Sequence, residues 1–349
     1  MNKIIRTALC LLCALTLLLP LCLGCAKQPK KFTDQSFEWF DSYHTLTAYA
    51  ETQEEFDRYA SLCRSVLQEY HGLLDIYHAY DGTVNLKSIN ESGGAVLSVS
   101  SALLEFLCFS REIYALTDGY TNIAMGGVID LWHQAAEQAS NGETPALPDA
   151  QALSEALRHT DLSALQISEE AGTVALSDPV TSLNAGAVGK GYAAQKAAEA
   201  LYAAGCTSFL LDVGGNVLAY GEKPDGELWR VGIRTPEGHA GYPSAVTLSD
   251  ASLVTSGSYE RYFEVNGVRY HHILHPQTGY PTQDFVSVSV LCRDSALADA
   301  LSTALFSMTL GDGMALLDTL DGVEAVWLLS DGQTICSQGF EALAKGGAS

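Results

Sequence analysis

The sequence predicts a fold in which amphipathic helices pack against antiparallel strands, and three stretches support this. Residues 259–265 alternate aromatic or apolar with polar side chains, Asn266-Gly267 suits a type I′ turn, and residues 268–274 run back, which is typical of a β-hairpin. Apolar residues recur at helical spacing after Thr52 and again over residues 100–116. Helices and a hairpin in one chain therefore indicate a mixed architecture.

The first stretch of the chain is interpreted as an export signal. Lys3 and Arg6 precede an apolar run over residues 8–23, which ends at Gly24-Cys25. This ending resembles a lipobox, after which Cys25 would become the acylated first residue of the mature protein. We therefore expect a lipoprotein signal peptide at residues 1–24, a tether at 25–36, and a lipid-anchored protein at the cell membrane, facing outside the cytoplasm. Secretion without a lipid is the alternative.

The composition excludes one class of function and leaves the cysteines without an assigned role. The 349 residues carry a formal net charge of −22, so DNA and RNA would be repelled. Five cysteines remain beyond the signal peptide and the lipobox Cys25, widely scattered and without a C-x-x-C motif. We expect them to be buried free thiols.

The helices and strands follow from their end signals. Residues 37–49 are interpreted as a strand, and Thr52 can cap the helix that follows it. Tyr77 follows that helix, where a tyrosine either packs in the core or contacts a ligand. A second helix over residues 100–116 ends before Asp118-Gly119, and Asp149 is suited to cap a third.

A glycine-rich stretch, S-L-N-A-G-A-V-G-K-G-Y-A-A at residues 182–194, predicts an anion site. It changes from a strand into a helix over residues 189–204, which Gly205 would end. The N–H groups of such a helix start attract phosphate, and Lys190 adds a full positive charge. The pattern matches neither the P-loop nor the dinucleotide fingerprint, and such glycines also serve close packing.

A late helix over residues 295–308 supplies candidate metal ligands. Asp299 and Thr303 are four residues apart and share one face, while leucines occupy other positions. A carboxylate with a hydroxyl suits Mg²⁺, which takes few protein ligands and completes its shell with water and phosphate. The alternative is an ordinary solvated helix face.

Polar residues flank both ends of the hairpin and point to a family. The string T-S-G-S-Y-E-R-Y-F-E-V-N-G-V-R-Y-H-H-I-L-H-P-Q-T-G-Y-P at residues 255–281 resembles the signature of the FAD:protein FMN transferase (ApbE-like) family. Residues 77–90, 119–132, 182–194 and 298–304 (A-D-A-L-S-T-A) resemble further motifs of that family in the same order. The chain departs from the pattern at Asn122, Asn184 and His275, where the family usually has Asp.

The resemblance implies a fold and a reaction. The fold would be α+β, of the T-fold kind, with mixed or antiparallel sheets and packed helices, and the transferase domain would span residues 37–349. The reaction would be Mg²⁺-dependent transfer of FMN from FAD to a Thr or Ser hydroxyl of an extracytoplasmic acceptor protein, with release of AMP.

The resemblance also implies roles for individual residues. His272 is the candidate base, and His271 or His275 could replace it. The metal ligands would be Asp299, Thr303 and the backbone carbonyl of Ala187. The FAD-binding residues would be Tyr43, Tyr77, Tyr120, Thr121, Asn122, Asn184, Lys190 and Ile273.

Two other functions fit the same residues. A Mg²⁺-dependent FAD pyrophosphatase would use water as the nucleophile and give FMN and AMP. A flavin-binding lipoprotein without chemistry would leave FAD intact, and the three departures from Asp favour this alternative.

Overall fold

A computed structural model describes residues 28–233 and 245–340. The expected signal peptide and Cys25 lie outside the described residues. Eight strands form one antiparallel sheet. In spatial order they are β1 (Lys30–Ser36), β2 (His44–Ala50), β6 (Phe209–Val213), β7 (Asn216–Tyr220), β10 (Ala251–Gly257), β13 (Phe285–Cys292), β14 (Glu324–Leu329) and β15 (Thr334–Cys336).

Three small sheets and a set of helices surround this large sheet. The small sheets are β3 (Leu97–Ser98) with β5 (Thr173–Leu176) and β4 (Leu165–Ser168), β8 (Trp229–Gly232) with β9 (Ala245–Leu248), and β11 (Tyr262–Val265) with β12 (Val268–His271). The helices are α1 (Gln53–Leu74), α2 (Leu86–Asn90), α3 (Ser101–Leu116), α4 (Gly126–Ser140), α5 (Ala150–Leu157), α6 (Gly189–Ala203), α7 (Ser295–Ser307) and α8 (Leu310–Leu317), with a 3₁₀ turn at Leu162–Ala164.

The large sheet is buried on both faces. Helices α1, α6 and α7 pack side by side on one face, where Phe209 and Trp327 are fully buried. The β8–β9 hairpin covers the other face through Trp229 and Val246. Burial of two faces by apolar side chains is the main stabilising term of the fold. It also holds α6 and α7 in contact, and their contact carries the candidate site.

Several predicted elements are confirmed. Thr52 accepts a hydrogen bond from Glu55 N at the start of α1, and Asp149 caps α5 in the same way. Gly205 follows α6 with a φ of +93°, the left-handed conformation expected after a helix. Asn266 and Gly267 have φ values of +52° and +78°, as the type I′ turn between β11 and β12 requires.

The N-terminal part of the fold differs from the prediction. The strand predicted over residues 37–49 is wrong in its first half, because Phe40 and Asp41 are left-handed (φ +54° and +46°) and the strand begins at His44. The tether predicted for residues 25–36 is wrong for Lys30–Ser36, which forms β1 at the edge of the large sheet. Phe32 stacks on Phe56 with ring centroids 5.3 Å apart, and this contact holds the strand in place despite its polar composition.

The cysteines and the helices agree with an ordinary packed domain. Cys63, Cys206 and Cys292 are buried as expected, and burial raises the pKa of each thiol to about 12, whereas Cys108 and Cys336 are only partly buried.

None of the helices within residues 28–233 and 245–340 is both long and apolar enough to span a bilayer.

Candidate active site

The three candidate metal ligands lie together where α7 meets the start of α6. Thr303 Oγ1 is 3.5 Å from the backbone oxygen of Ala187, and Asp299 lies one turn before Thr303 on the same face of α7. Asp299 is only 5% exposed, so the alternative of an ordinary solvated helix face does not hold for this residue. One carboxylate, one hydroxyl and one carbonyl therefore converge from segments more than 100 residues apart.

The close approach of α6 to α7 depends on a glycine that the sequence motif includes. Gly191 N donates a hydrogen bond of 2.7 Å to Asp299 Oδ2. A Cβ on Gly191 would lie 2.3 Å from Asp299 Cβ and 2.4 Å from Ser295 O, which no side chain tolerates. Gly191 thus brings the first turn of α6 against the carboxylate. The G-K-G sequence was the available signal for this contact.

Burial raises the pKa of Asp299, and the Lys190 charge and the Gly191 N–H partly oppose that shift. The described residues provide no cation within ion-pair distance of this carboxylate, and none donates a hydrogen bond to its Oδ1 atom. A bound cation would stabilise a buried carboxylate of this kind. The donor set, oxygen only and incomplete, fits Mg²⁺ that shares its shell with phosphate and water.

Lys190 and Tyr43 lie on one side of this group. Lys190 is the second residue of α6, and its aliphatic chain passes the turn between β6 and β7, 3.4 Å from the place of a Cβ on Gly214. Gly214 N donates to the Tyr43 carbonyl, so the same turn holds Tyr43 next to the lysine. The Tyr43 ring is 75% exposed and contacts the Phe37 ring at 4.7 Å. An exposed aromatic ring whose backbone adjoins the turn beside Lys190 is suited to contact a flavin or adenine ring.

His272 follows β12 and is held by the residue opposite it. Both its backbone N–H and its Nδ1 lie 3.2 Å from the carbonyl oxygen of Arg261. Because a carbonyl only accepts, Nδ1 carries the proton and Nε2 keeps its lone pair. Desolvation lowers the pKa of His272, the hydrogen bond to the Arg261 carbonyl opposes this shift, and the charges of Arg261 and Lys190 lower the pKa further. The ring is open to solvent on one side, so desolvation is partial, yet desolvation and the two charges together leave the ring uncharged at neutral pH.

The other two histidines have structural contacts. His271 is buried, donates from Nε2 to Thr282 O at 2.5 Å, and accepts from Ile273 N at Nδ1. Both nitrogens are occupied, so His271 is poorly placed to act as a base. His275 Nδ1 accepts from Gln277 N, and its ring meets the Tyr120 ring edge-on at 5.5 Å. His272 is the member of the three with an available lone pair.

The three departures from Asp share one contact. The side chains of Asn122, Asn184 and His275 each accept a hydrogen bond from the backbone N–H two residues further on, at Ala124, Gly186 and Gln277. A carboxylate would accept the same bond, so each substitution preserves the local turn while removing a negative charge. Asn122 also donates to Thr160 O, a contact that a carboxylate could not make.

Three of the predicted binding residues are buried or have structural contacts of their own. Thr121 is buried and donates to Ala300 O on α7 at 2.6 Å, and Ile273 is packed in the core beneath α7. Tyr77 is 59% exposed but lies beside α4, with its ring 6.3 Å from the His133 ring. No contact among the described residues joins Tyr77 to Asp299 or Lys190. Its loop is fixed by Asp75, which accepts from Tyr77 N, His78 and the Tyr80 hydroxyl.

Two cavities in the described part of the chain lie elsewhere. One of about 630 Å³ lies between the end of α1 and residues 80–84, and one of about 300 Å³ lies beside Lys196 and Glu199. Neither is lined by the candidate metal ligands, Lys190 or His272. The candidate site lies at the junction of α6, α7 and the β11–β12 hairpin, where Asp299 is buried and His272 is exposed.

The fold and these side chains define a class of protein. A layered α+β domain that gathers hard oxygen donors, a lysine at a helix start and a neutral histidine is suited to bind a divalent cation together with a phosphate ester. Among the described residues no three His, Cys, Asp or Glu side chains form a metal cluster.

Comparison with known proteins gives the family. The ApbE family model matches residues 40–327, and the chain belongs to the ApbE family. A curated FAD:protein FMN transferase of Treponema pallidum is 39% identical over 257 residues, 68% of each chain. One from Klebsiella pneumoniae is 29% identical over 280 residues, 80% of this chain and 84% of the relative.

Solved structures agree with this fold. The ApbE protein of Thermotoga maritima superimposes with a TM-score of 0.79 at 24% identity, covering 91% of this chain and 99% of its own. The apo form of the Pseudomonas stutzeri flavinyl transferase ApbE gives 0.76 at 25% identity, covering 90% and 97%. The expected α+β architecture is thereby confirmed.

Proposed function

We propose that this protein is a Mg²⁺-dependent FAD:protein FMN transferase that acts on a Thr or Ser hydroxyl of an exported protein. Its curated relatives carry the name of this activity. The observation that supports the proposal most directly is the convergence of Asp299, Thr303 and the Ala187 carbonyl beside Lys190. Binding FAD as a Mg²⁺ complex at this place would position its pyrophosphate at the start of α6.

The proposed reaction replaces the phosphoanhydride bond of FAD by a phosphoester bond to the acceptor hydroxyl. The acceptor hydroxyl attacks the phosphorus of the FMN half, a new O–P bond forms, and the pyrophosphate P–O bond breaks so that AMP leaves. His272 takes the hydroxyl proton at Nε2, because Nδ1 is fixed as a donor by the Arg261 carbonyl. Lys190 neutralises phosphate charge, and Mg²⁺, when bound by Asp299, Thr303 and Ala187 O, would supply further charge neutralisation.

The remaining predicted residues would position the flavin. We propose that Tyr43 and Tyr120 contact its rings. The Tyr43 carbonyl accepts a hydrogen bond from Gly214 N in the turn beside Lys190, and the Tyr120 ring packs against the His275 ring. Thr121, Asn122, Asn184 and Ile273 would act by fixing the backbone around the flavin, as their hydrogen bonds indicate. Tyr77 would contact a more distant part of FAD.

The proposed location is the outer side of the cell membrane, with the mature chain anchored through lipid on Cys25. The apolar run that ends in Gly24-Cys25 supports this proposal. It would give the enzyme access to acceptors that are also exported.

The test is to incubate the protein with FAD and Mg²⁺, with and without an exported candidate acceptor, and to measure AMP and protein-bound flavin fluorescence. Transfer predicts AMP in proportion to labelled acceptor, and a His272→Gln variant should lose most of it. Equal AMP and FMN without an acceptor would instead indicate a pyrophosphatase. FAD that stays intact under all conditions would indicate a flavin-binding protein.

A further inference from the structure

Arg261 is the cross-strand neighbour of His272 on the β11–β12 hairpin. Tyr262 pairs with His271, so Arg261 and His272 form the next opposed pair, and the hydrogen bond from His272 N to Arg261 O confirms it. Directly opposed residues project their side chains from the same face of a β-ribbon, with Cβ atoms about 5 Å apart. The guanidinium of Arg261 therefore originates on the same face as the imidazole.

Arg261 has no acidic partner within the described residues, whereas the second arginine of the hairpin is engaged. Arg269 lies 3.8 Å from Glu264 and stacks over the Tyr262 ring at 4.0 Å. Arg261 is exposed and makes no ion pair with any residue of 28–233 or 245–340, although the chain carries a formal net charge of −22. An exposed guanidinium without a described acidic partner is available to an anion.

A second cation acts at the same place. The side-chain charges of Arg261 and Lys190 both lower the pKa of His272, although the hydrogen bond to the Arg261 carbonyl opposes this, so two cations from different elements act on one imidazole. Lys190 likewise makes no ion pair among the described residues. Two unpaired cations that flank one neutral imidazole form a positive region suited to a substrate with two linked phosphates.

We propose that the guanidinium of Arg261 binds the pyrophosphate of FAD from the hairpin side, opposite Lys190. This proposal rests on the proposed function and adds a substrate-binding residue to it. A guanidinium presents parallel N–H donors that match two phosphate oxygens, whereas the ammonium of Lys190 acts as a point charge. Arg261 would thus select flavins that carry phosphate, and its backbone carbonyl would independently orient His272.

The experiment compares Arg261→Gln with Arg269→Gln, because both variants remove one exposed charge from the same hairpin. Each is titrated with FAD and with riboflavin, which lacks phosphate, in the presence of Mg²⁺, and binding is measured by flavin fluorescence. We expect Arg261→Gln to weaken FAD binding about 10- to 100-fold while riboflavin changes less than about twofold. Arg269→Gln should leave both affinities within about twofold.

Three outcomes would overturn the proposal. Equal losses in both variants would mean that only the long-range charge matters. Equal losses for FAD and riboflavin in Arg261→Gln would mean that the residue supports the hairpin rather than the phosphates. Unchanged FAD affinity would remove Arg261 from the site. Arg261→Lys should restore part of the affinity, since it returns the charge without the paired donors.

FAD binding can be measured without turnover, so failure of the proposed transferase function can be distinguished from failure of the Arg261 assignment. If the wild-type protein binds FAD but transfers no FMN, the assignment of Arg261 is tested all the same. If transfer occurs, the acid limb of the pH profile of its rate should move to higher pH in Arg261→Gln. The reason is that a neutral side chain at position 261 no longer lowers the pKa of His272. A residue that only supports the hairpin would leave that limb in place.

Discussion

At the level of single residues, Asp299 is a charged group kept in an unfavourable place. Burial raises its pKa above the value in the unfolded chain. The folded state therefore binds more protons than the unfolded state between these two values, and the free energy of unfolding falls as pH rises through that window. Above it, the ionised carboxylate lowers the stability of the metal-free protein, and a bound cation would reverse this effect.

The matching prediction uses Asp299→Asn, which can still accept from Gly191 N while removing the charge. The metal-free variant should melt at a higher temperature than the wild type, and Mg²⁺ should no longer raise that temperature. FMN transfer should fall about 100-fold or more.

Thr303→Val is the comparison variant, because it removes the weaker ligand. It should retain partial transfer activity that recovers as Mg²⁺ is raised, since water can replace a hydroxyl. The measurements are scanning calorimetry and AMP release across a Mg²⁺ titration. Normal turnover in Asp299→Asn would exclude this metal site and the mechanism that depends on it.

The residue scale also shows where the sequence was misleading. Asn122, Asn184 and His275 departed from a family pattern and favoured a protein without chemistry. Each retains the acceptor for the N–H two residues on, so the turns survive. Sequence comparison records the lost charge but not the conserved hydrogen bond, which depends on side-chain geometry.

At the level of elements, the contact between α6 and α7 positions the site. It buries the alanine-rich face of α6 and brings Asp299 to Gly191 N. The helices themselves were predictable, because capping residues, a C-terminal glycine and apolar spacing are local signals. The contact of these two helices at Gly191 was not predictable from local signals, because it results from the order of strands in the sheet.

We predict that Gly191→Ala disrupts this contact. The added methyl would lie 2.3 Å from Asp299 Cβ, so the helices must separate, at a cost of about 1–3 kcal/mol in the free energy of unfolding. Gly127→Ala in α4 is the matched control, because its nearest neighbour would be 3.9 Å away.

The control substitution should leave stability unchanged or raise it by up to about 1 kcal/mol, through the better helix propensity of alanine. Urea unfolding measures both variants, and a Mg²⁺ titration should show weaker binding for Gly191→Ala alone. Equal stabilities in the two variants would show that the helices are not held at this distance.

At the level of the whole molecule, the candidate residues come from distant parts of the chain, between Tyr43 and Thr303. Local patterns identified these segments one at a time, and resemblance to a family joined them. The two-residue turn predicted at Asn266-Gly267 already fixes the register that brings Arg261 opposite His272. Sequence alone could not place the Tyr77 ring beside His133 of α4, because that contact depends on tertiary packing.

A prediction at this scale concerns anchoring. Cys25→Ala should move the protein from the membrane fraction to the soluble fraction, because acylation requires the thiol. Transfer by the purified soluble part, from residue 28 onward, should be unaffected. Fractionation with metabolic lipid labelling is the measurement, with Cys108→Ala as a control that keeps its lipid. A variant that stays in the membrane fraction would show that another feature anchors the chain.

The strand β1 sets a geometric limit on an anchored enzyme. It begins at Lys30 and is the edge of the large sheet, so only five residue steps separate it from Cys25. A fully extended chain covers at most about 3.5 Å per residue, or roughly 17 Å in this case. A folded domain joined to its lipid anchor by so short a segment would stay close to the membrane surface. Its acceptors would have to present their hydroxyl groups within a few nanometres of the bilayer surface, and membrane proximity would then select substrates before any side chain does.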